Sequence, residues 1–424
     1  MKYSSRTKGG FGALLTISRR NIRRNKRRTF LCILAVGVAV FFNVFMQSWV
    51  DGMYAGIEEI VTTFDTGHAD AVSEKFDADR EYLPVQFPLA DGRDGAELVR
   101  EAEALPGVKA ALPRITAYAS LFDSLVKHAF LWGIDIEAET ALHDFNLTDR
   151  TDGLVEGRFP AAGKNECAIG TALAKKAGLR IGDGIPLKTI SAQFSDKYWN
   201  PVVTGIFEFD YGTYDEQTII VPIDRLQRVL GLDGGIQQLV VYADDPARTS
   251  GIREGLLAIL GEGNAVREWT ENYWIALFKS MTGLYIVMFG VFQIVASFLI
   301  INTMLMVIHE RIKEIGMMGA LGMTRTEIVS VFFLEAVFLS VLGSLFGCLV
   351  AGLATWLGSL FPIDMNAFTG GGMKDLPISG TLFMVFSVGN LVEGFVFGVL
   401  VSAACTLVPS MKSAFIEPVE ALRR

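Results

Sequence analysis

Histidine and cysteine are scarce in this chain, with four of each among 424 residues. His68, His128, His143 and His309 are scattered, and no H-E-x-x-H, C-x-x-C or G-x-S-x-G run occurs. The usual zinc, dithiol and serine-nucleophile readings therefore have nothing to rest on. His68 with Asp70 has metal-ligand chemistry, but an exposed turn accounts for it better. Cys32, Cys348 and Cys405 lie in apolar runs, which leaves Cys167 alone in the large polar region. That region has no internal disulfide, and Cys167 reads as a buried packing residue. GRFPAAGKN (157–165) misses a phosphate-binding loop: it has one residue too many between the glycines, and Asn165 stands where Ser or Thr would hold Mg²⁺. No nucleotide, metal or other cofactor is expected on this chain, so any ATP-driven step needs a partner that binds ATP and Mg²⁺. The expected class is a non-enzyme.

Acids are absent from residues 1–28, which carry ten Lys/Arg, whereas residues 51–275 carry 20 basic and 37 acidic residues. With half the chain apolar and a mean hydropathy of +0.37, such sorting of charge marks a chain that crosses a boundary. A basic arm can bind nucleic acid, but this one runs straight into TFLCILAVGVAVFFNVFMQSWV, the arrangement of cations before an apolar membrane span. No nucleic-acid partner is expected. Four segments are long enough to span a bilayer: 29–50, 282–308, 328–358 and 381–408. The first exceeds a signal-peptide core and no A-x-A site follows, so it reads as an uncleaved anchor.

Cations in the short flanks set the orientation. The N-terminal tail has ten, the 309–327 connection has Arg311, Lys313 and Arg325, and the C-terminal tail has Lys412, Arg423 and Arg424, whereas the 359–380 connection has only Lys374. Both termini and the 309–327 connection are expected in the cytoplasm, with 51–275 and 359–380 outside. Gly343, Gly347 and Ala351, and Gly394, Gly398 and Ser402, recur at four-residue spacing. Such faces suit either packing within the chain or a dimer seam. Two acids fall within spans: Glu335, close to the cytoplasmic end of the third, and Glu393, near the middle of the fourth beside Asn390. A midspan carboxylate is either functional or a hydrogen-bonded packing residue.

The expected fold is membrane α-helical, with four transmembrane helices and a large extracytoplasmic mixed α/β domain inserted between helices 1 and 2. Its parts are a basic tail (1–28), a first span and stalk (29–66), the outer domain (67–265), a return stalk and second span (266–308), a cytoplasmic element (309–327), third and fourth spans (328–358 and 381–408) around an outer loop (359–380), and a tail (409–424). Met53, Ile57, Ile60, Val61 and Phe64 recur at helical spacing after the first span, and Trp269, Tyr273, Ile275 and Leu277 precede the second. Within the outer domain, 96–105 and 245–260 read as helices, the latter with Asp245 as cap, and 236–243 as a strand. These flanks look like two halves of a split α/β unit, with a β-rich insertion at about 140–225.

The most informative stretch is HERIKEIGMMGALGMTRTEI, 309–328. Glu310, Arg311, Lys313 and Glu314 give a charged helix side. Gly316, Gly319 and Ala320 leave a bare strip, and Gly322 is placed to cap the helix. Thr324 and Glu327 form a capping box for the next. The result is helix, glycine corner, helix: a tight turn between spans, or a rigid elbow for a partner to push. R-I-K-E-I-G-M-M-G-A-L-G (311–322) resembles the R-x-x-E-I-G-x-x-x-A-x-G signature of MacB/FtsX-type ABC transporter permeases. SRRNIRRNKRRTFL (18–31), ECAIGTALAKKAGLRIGDGIPL (166–187) and PSMKSAFIEPVEALR (409–423) are similar to three further family segments, in order. The C-terminal stretch departs in having Met411-Lys412 where more basic residues are usual, and Glu393 belongs to no family motif.

The resemblance implies a permease working by mechanotransmission, as a dimer of identical or paralogous chains, with separate cytoplasmic ATPase subunits seated on the elbow. Arg311, Glu314, Ile315, Gly316, Ala320, Gly322, Thr324 and Glu327 are the ATPase-coupling candidates. The absence of a fused ATPase domain and the size of the outer domain look most like the lipoprotein-releasing permeases of the bacterial inner membrane. That subtype implies membrane lipid, a lipoprotein substrate and a periplasmic carrier as partners. Phe41, Phe42, Phe45 and Met46 would then touch acyl chains; lipid exposure explains them as well. Efflux or peptide export with a periplasmic adaptor, and activation of a cell-wall hydrolase, are the alternatives.

Overall fold

The computed structural model describes residues 26–122, 128–143, 153–209, 212–310, 312–361, 363–364 and 381–414. The basic tail before Lys26, Arg311, Lys374 and the C-terminal motif from residue 415 lie outside the described residues. The chain divides into two units, one of residues 1–53, 280–362 and 383–424, the other of 54–279 and 363–382.

Four long helices are present among the described residues: Lys26–Ile60, Tyr273–Glu310, Arg325–Leu360 and Val388–Ala414. Each contains a stretch long and apolar enough to cross a membrane. The fourth helix starts at Val388, later than residue 381, because Thr381–Leu382 pairs as a strand with Ile363–Asp364. The return helix starts at Tyr273 because 264–268 form a strand and Trp269–Glu271 a 3₁₀ turn. The aromatic stretch from Val266 to Asn272 is therefore not helical stalk. Its alternation is claimed by strand pairing, with Val266 opposite Ala71.

In the helical unit, the small residues serve packing within the chain. A Cβ at Gly347 would lie 2.5 Å from the Gly37 carbonyl oxygen, and one at Gly343 2.6 Å from Val36 Cβ. Gly398 faces Ser344, whose Oγ would stand 2.7 Å from an added Cβ. Val36, Val40, Val44 and Ala351 fill the core between the first, third and fourth helices, with Leu391 against them. Bare backbone at these positions is what lets helices approach closely where burial in lipid offers no hydrophobic driving force.

The second unit is built on an eleven-stranded mixed sheet. Its strands are β1 (Ala69–Ser73), β2 (Val108–Leu121), β3 (His128–Ile134), β4 (Gly153–Gly157), β5 (Glu166–Gly170), β6 (Leu187–Ile190), β7 (Asp196–Trp199), β8 (Val202–Glu208), β9 (Thr218–Pro222), β10 (Gln238–Ala243) and β11 (Asn264–Glu268). The main order is β11-β1-β10-β2-β3-β9-β5-β8-β4, with β6 and β7 branching from β2. Pairings β3–β9 and β5–β8 are parallel. β10 is buried along its whole length, as the apolar run LVVYA requires of a central strand. The flanks of the insertion do meet in one core: Ala69, Leu98 and Ala102 pack with Leu239, Val241, Leu256 and Val266. The inserted strands extend the same sheet, through β9 on β3, and pack Ile169, Leu173, Val203 and Ile219 into one core with Ile115 of β2 and Leu131 of β3.

Local chemistry explains the helices of this unit. Asp94 caps Gly95–Glu103 by accepting from the Ala96 amide at 3.1 Å, and Leu98 and Ala102, four apart, face the core. Asp245 is not the cap of the later helix, because a 3₁₀ turn, Pro246–Arg248, intervenes and the helix begins at Thr249.

The close approach at Gly347 yields a direct expectation. Gly347→Leu should destabilise the helical unit by about 1–3 kcal/mol, the usual cost of overpacking. Gly290→Ala, whose added Cβ meets open space, should leave thermal unfolding in detergent unchanged. Equal midpoints for the two variants would refute the packing role.

Candidate coupling sites

The elbow closes on itself through local hydrogen bonds. The helix Ile312–Ala320 ends in a Schellman motif: the Met323 amide donates to Met318 O (3.1 Å) and the Gly322 amide to Gly319 O (3.1 Å). Gly322 takes φ +94°, which a side chain would strain. The next helix opens on the capping box. Glu327 N donates to Thr324 Oγ1 at 3.4 Å, and Thr324 N donates to Glu327 Oε2 at 2.8 Å. Met318 and Met323 pack on Ile315, Ile328, Phe332 and Ala336, so the corner has its own small core.

That core changes the reading of the bare strip. Ile315 and Gly316 face inward, and Ala320 is exposed. The outward apolar residues are Met317 and Leu321, 52% and 86% exposed. They were not singled out from the sequence, where a methionine and a leucine beside a span look like more span. Glu314 is half-buried on the same helix. Glu335 lies about three turns into the third helix and is buried, so it does not reach toward a surface.

Asn390 and Glu393 stand in the first two turns of the fourth helix, not at its middle. Both are bracketed to the first helix. Asn390 Nδ2 donates to Asp51 Oδ2 at 2.6 Å, Gln47 Nε2 to Glu393 Oε2 at 3.2 Å, and Ser48 Oγ to Val385 O at 2.6 Å. Phe41, Phe45 and Met46 are half-buried, and Phe42 is 47% exposed. Phe41 stacks on Phe45 at 5.5 Å, and Phe42 on Phe292 at 6.4 Å.

In the other unit, the end of the first helix forms a site that sequence reasoning missed. The helix passes into a π-helical turn, Val61–Asp65, whose last carbonyls have no helical partner. Side chains from the sheet domain supply the donors. Tyr242 Oη donates to Thr62 O (2.8 Å), Arg114 Nη2 to Thr63 O (2.7 Å), Tyr214 Oη to Phe64 O (3.0 Å) and Gln238 Nε2 to Asp65 O (2.8 Å). The Asp65 carboxylate accepts from Arg80 Nη2 and from Asn272 Nδ2, each at 2.8 Å. Asn272 also caps the return helix, accepting from the Trp274 amide at 2.9 Å. The Phe64 ring lies 4.9–6.0 Å from the rings of Tyr214, Phe209 and Trp132.

The electrostatics fit a helix C-terminus, which favours a cation. Arg114 is wholly buried, forked onto Glu139 at 2.7 and 3.0 Å and stacked on Trp132 at 5.2 Å. Burial opposes its charge, but the Glu139 carboxylate beside it outweighs burial and its pKa is raised. Burial, with Arg114 nearby, pushes His143 down to about 3, so its imidazole is neutral. Burial likewise keeps Tyr242 protonated. Its single proton goes to Thr62 O, so His143 Nε2, 2.9 Å from Tyr242 Oη, is the protonated nitrogen and donates. The one signal in the sequence was an arginine within an otherwise apolar strand, ALPRITAYA.

Other candidates resolve into structure. His68 Nδ1 accepts from the Ala243 amide, and Asp70 pairs with Arg80 and Arg267. Among the described residues no group of three metal-ligating side chains occurs. Cys167 is buried, and burial raises its pKa. In the glycine-lysine segment Arg158 forks onto Glu166 at 2.7 and 2.8 Å.

Comparison with known proteins bears on both units. The model of the MacB-like periplasmic core domain matches residues 29–259, and that of the FtsX-like permease C-terminal domain matches 286–418. The lipoprotein-releasing system transmembrane protein LolC of Xylella fastidiosa (strain Temecula1) is 21% identical over 96% of this chain and 98% of its own length. The macrolide export ATP-binding/permease protein MacB of Vibrio parahaemolyticus is 23% identical over 94% of this chain and 58% of its own. The periplasmic region of MacB from Actinobacillus actinomycetemcomitans aligns over 47% of this chain and 88% of its own, at 12% identity and a TM-score of 0.33.

The Arg158–Glu166 fork has a measurable signature. The hydrogen bonds from Arg158 hold Glu166 at about 2, below its ordinary 4.5. A carboxylate with a folded pKa below its unfolded one contributes stability that is complete above about pH 4.5 and lost as pH falls toward 2. Glu166→Gln should flatten the acid limb of the stability profile in that window; an unchanged limb would show that the fork contributes nothing.

Proposed function

The chain belongs to the family of ABC transporter permeases with a MacB-like periplasmic core and an FtsX-like C-terminal domain, and from that premise we propose that it releases lipoproteins from the bacterial inner membrane by mechanotransmission. Members of this family are non-catalytic inner-membrane subunits with a periplasmic domain, and they work with cytoplasmic ABC ATPases. The observation that carries the finer reading is the end-to-end match to a lipoprotein-releasing transmembrane protein, which spans nearly all of both chains.

On this reading both termini are cytoplasmic, and ATP and Mg²⁺ sit on a separate ATPase. The elbow is the surface that ATPase engages. Its double cap makes it stiff enough to carry a push, and the exposed Met317 and Leu321 supply an apolar tip for a groove. Glu314, Ile315, Gly316, Ala320, Gly322, Thr324 and Glu327 shape it, with Arg311 as the family motif's first position. A second permease chain, identical or paralogous, is supported by the second helix, where Leu284, Val287, Val291, Ile294 and Phe298 are all exposed. Acyl chains would meet Phe41, Phe42, Phe45 and Met46, and the outer domain would pass the lipoprotein to a periplasmic carrier. Macrolide or peptide export is the second reading, favoured by the core-domain model over more than half the chain.

Mass spectrometry of what co-purifies in mild detergent separates these. An ATPase with acylated lipoprotein peptides supports release; an ATPase with a periplasmic adaptor and no lipoprotein moves the function to export. Glu314→Lys should abolish ATP-driven activity in the reconstituted complex while leaving insertion and folding intact. Normal activity in that variant would remove the elbow from the mechanism.

A further inference from the structure

The end of the first helix is held unlike any other helix end described in this protein. Four successive carbonyls, Thr62 to Asp65, each accept from a side chain of the sheet domain, and those side chains come from β2, β10 and the helix Gly212–Gln217. The Asp65 carboxylate adds Arg80 and Asn272, and Phe64 fills an aromatic box. A helix end fixed by donors from three separate elements cannot swivel about one bond without breaking several hydrogen bonds, the ones from charged groups being the stronger. The return helix has a lighter attachment: its own cap Asn272, tied to the same Asp65, and the Arg253–Glu271 ion pair at 2.7 Å just before it.

We propose that Asp65, Arg114, Tyr214 and Tyr242 are positioning residues that make the last turns of the first helix, from residue 54 to Asp65, one rigid body with the sheet, so that a movement of this helix end is delivered to the sheet, while the start of the return helix is a follower tied through Asp65–Asn272. This rests on the mechanotransmission reading and specifies its route. Arg114 is the centre of the joint. Its guanidinium bridges the helix carbonyl, Glu139 and Tyr242, and so links β2, β10 and the helix Ile136–His143 to one backbone oxygen.

The test is amide hydrogen exchange by mass spectrometry on the full chain in complex with the ATPase that purifies with it, without nucleotide and trapped with ATP and vanadate. In the wild type, trapping should change exchange in residues 60–66 and in β1, β2 and β10 by about five-fold or more, the lower range of coupling between sites. Combined Asp65→Asn, Tyr214→Phe and Tyr242→Phe should confine the change to the helix before residue 61. The milder pair Asp65→Asn and Tyr214→Phe, which leaves the Arg114 cluster intact, should reduce it. Tyr118→Phe removes a hydroxyl-to-carbonyl bond of the same kind elsewhere in the domain (to Glu81 O, 2.9 Å) and should leave the response whole. A full response in β1, β2 and β10 of both joint variants, or equal loss in the Tyr118 control, would overturn the proposal. No nucleotide response in the wild-type domain would overturn the mechanical reading itself, and the joint with it.

Discussion

The unmet carbonyls at the end of the first long helix are the constraint around which the outer domain is organised. A helix that stops inside protein leaves its last oxygens without partners, and a buried acceptor left unpaired costs about 1–3 kcal/mol. The chain meets this demand with side chains from strands far away in sequence. Arg114 carries the largest obligation. A buried guanidinium must itself be paired, so Glu139 is buried with it, and removing one partner of such a pair costs about 3–5 kcal/mol. The ion pair, the tyrosine and the neutral histidine are then consequences of one helix end.

The elbow solves the same problem differently. Its helix end is near solvent and turns within a few residues, so the partners are local: the Met323 and Gly322 amides donate to the outgoing carbonyls, and the Thr324 and Glu327 side chains accept from the incoming amides. One terminus is stiff because its own sequence closes it. The other is stiff because a folded domain closes it. The mechanism proposed above would need stiffness at both places, and the two devices suit their surroundings. The elbow leaves Met317 and Leu321 exposed, whereas the joint buries Arg114, Glu139 and Tyr242 and keeps Asp65 part-exposed.

Much of this was legible beforehand. The spans followed from apolar length, and the elbow from a glycine and a capping box three residues apart. Some elements misled. The aromatic run before the second span has helical spacing, yet Val266 pairs in a strand because β1 offers an unpaired edge. Glu393 looked central to the fourth span because the apolar run begins before residue 388, but a short strand occupies that lead-in, so the carboxylate stands near the helix start.

What the sequence determined by itself is whatever depends on neighbours along the chain: span length, charge sorting, the Schellman turn at Gly322 and the box at Thr324. Family membership was also readable there, because its motifs are contiguous. Only the tertiary structure decided which small residues pack within the chain, that Gly316 faces inward, and that Arg114 meets Thr63 across 51 residues and Tyr242 meets Thr62 across 180. The reason is physical. A cap is chosen by a few torsions within one turn, whereas a buried donor and its acceptor are brought together by the register of a whole sheet, which no short stretch of sequence encodes.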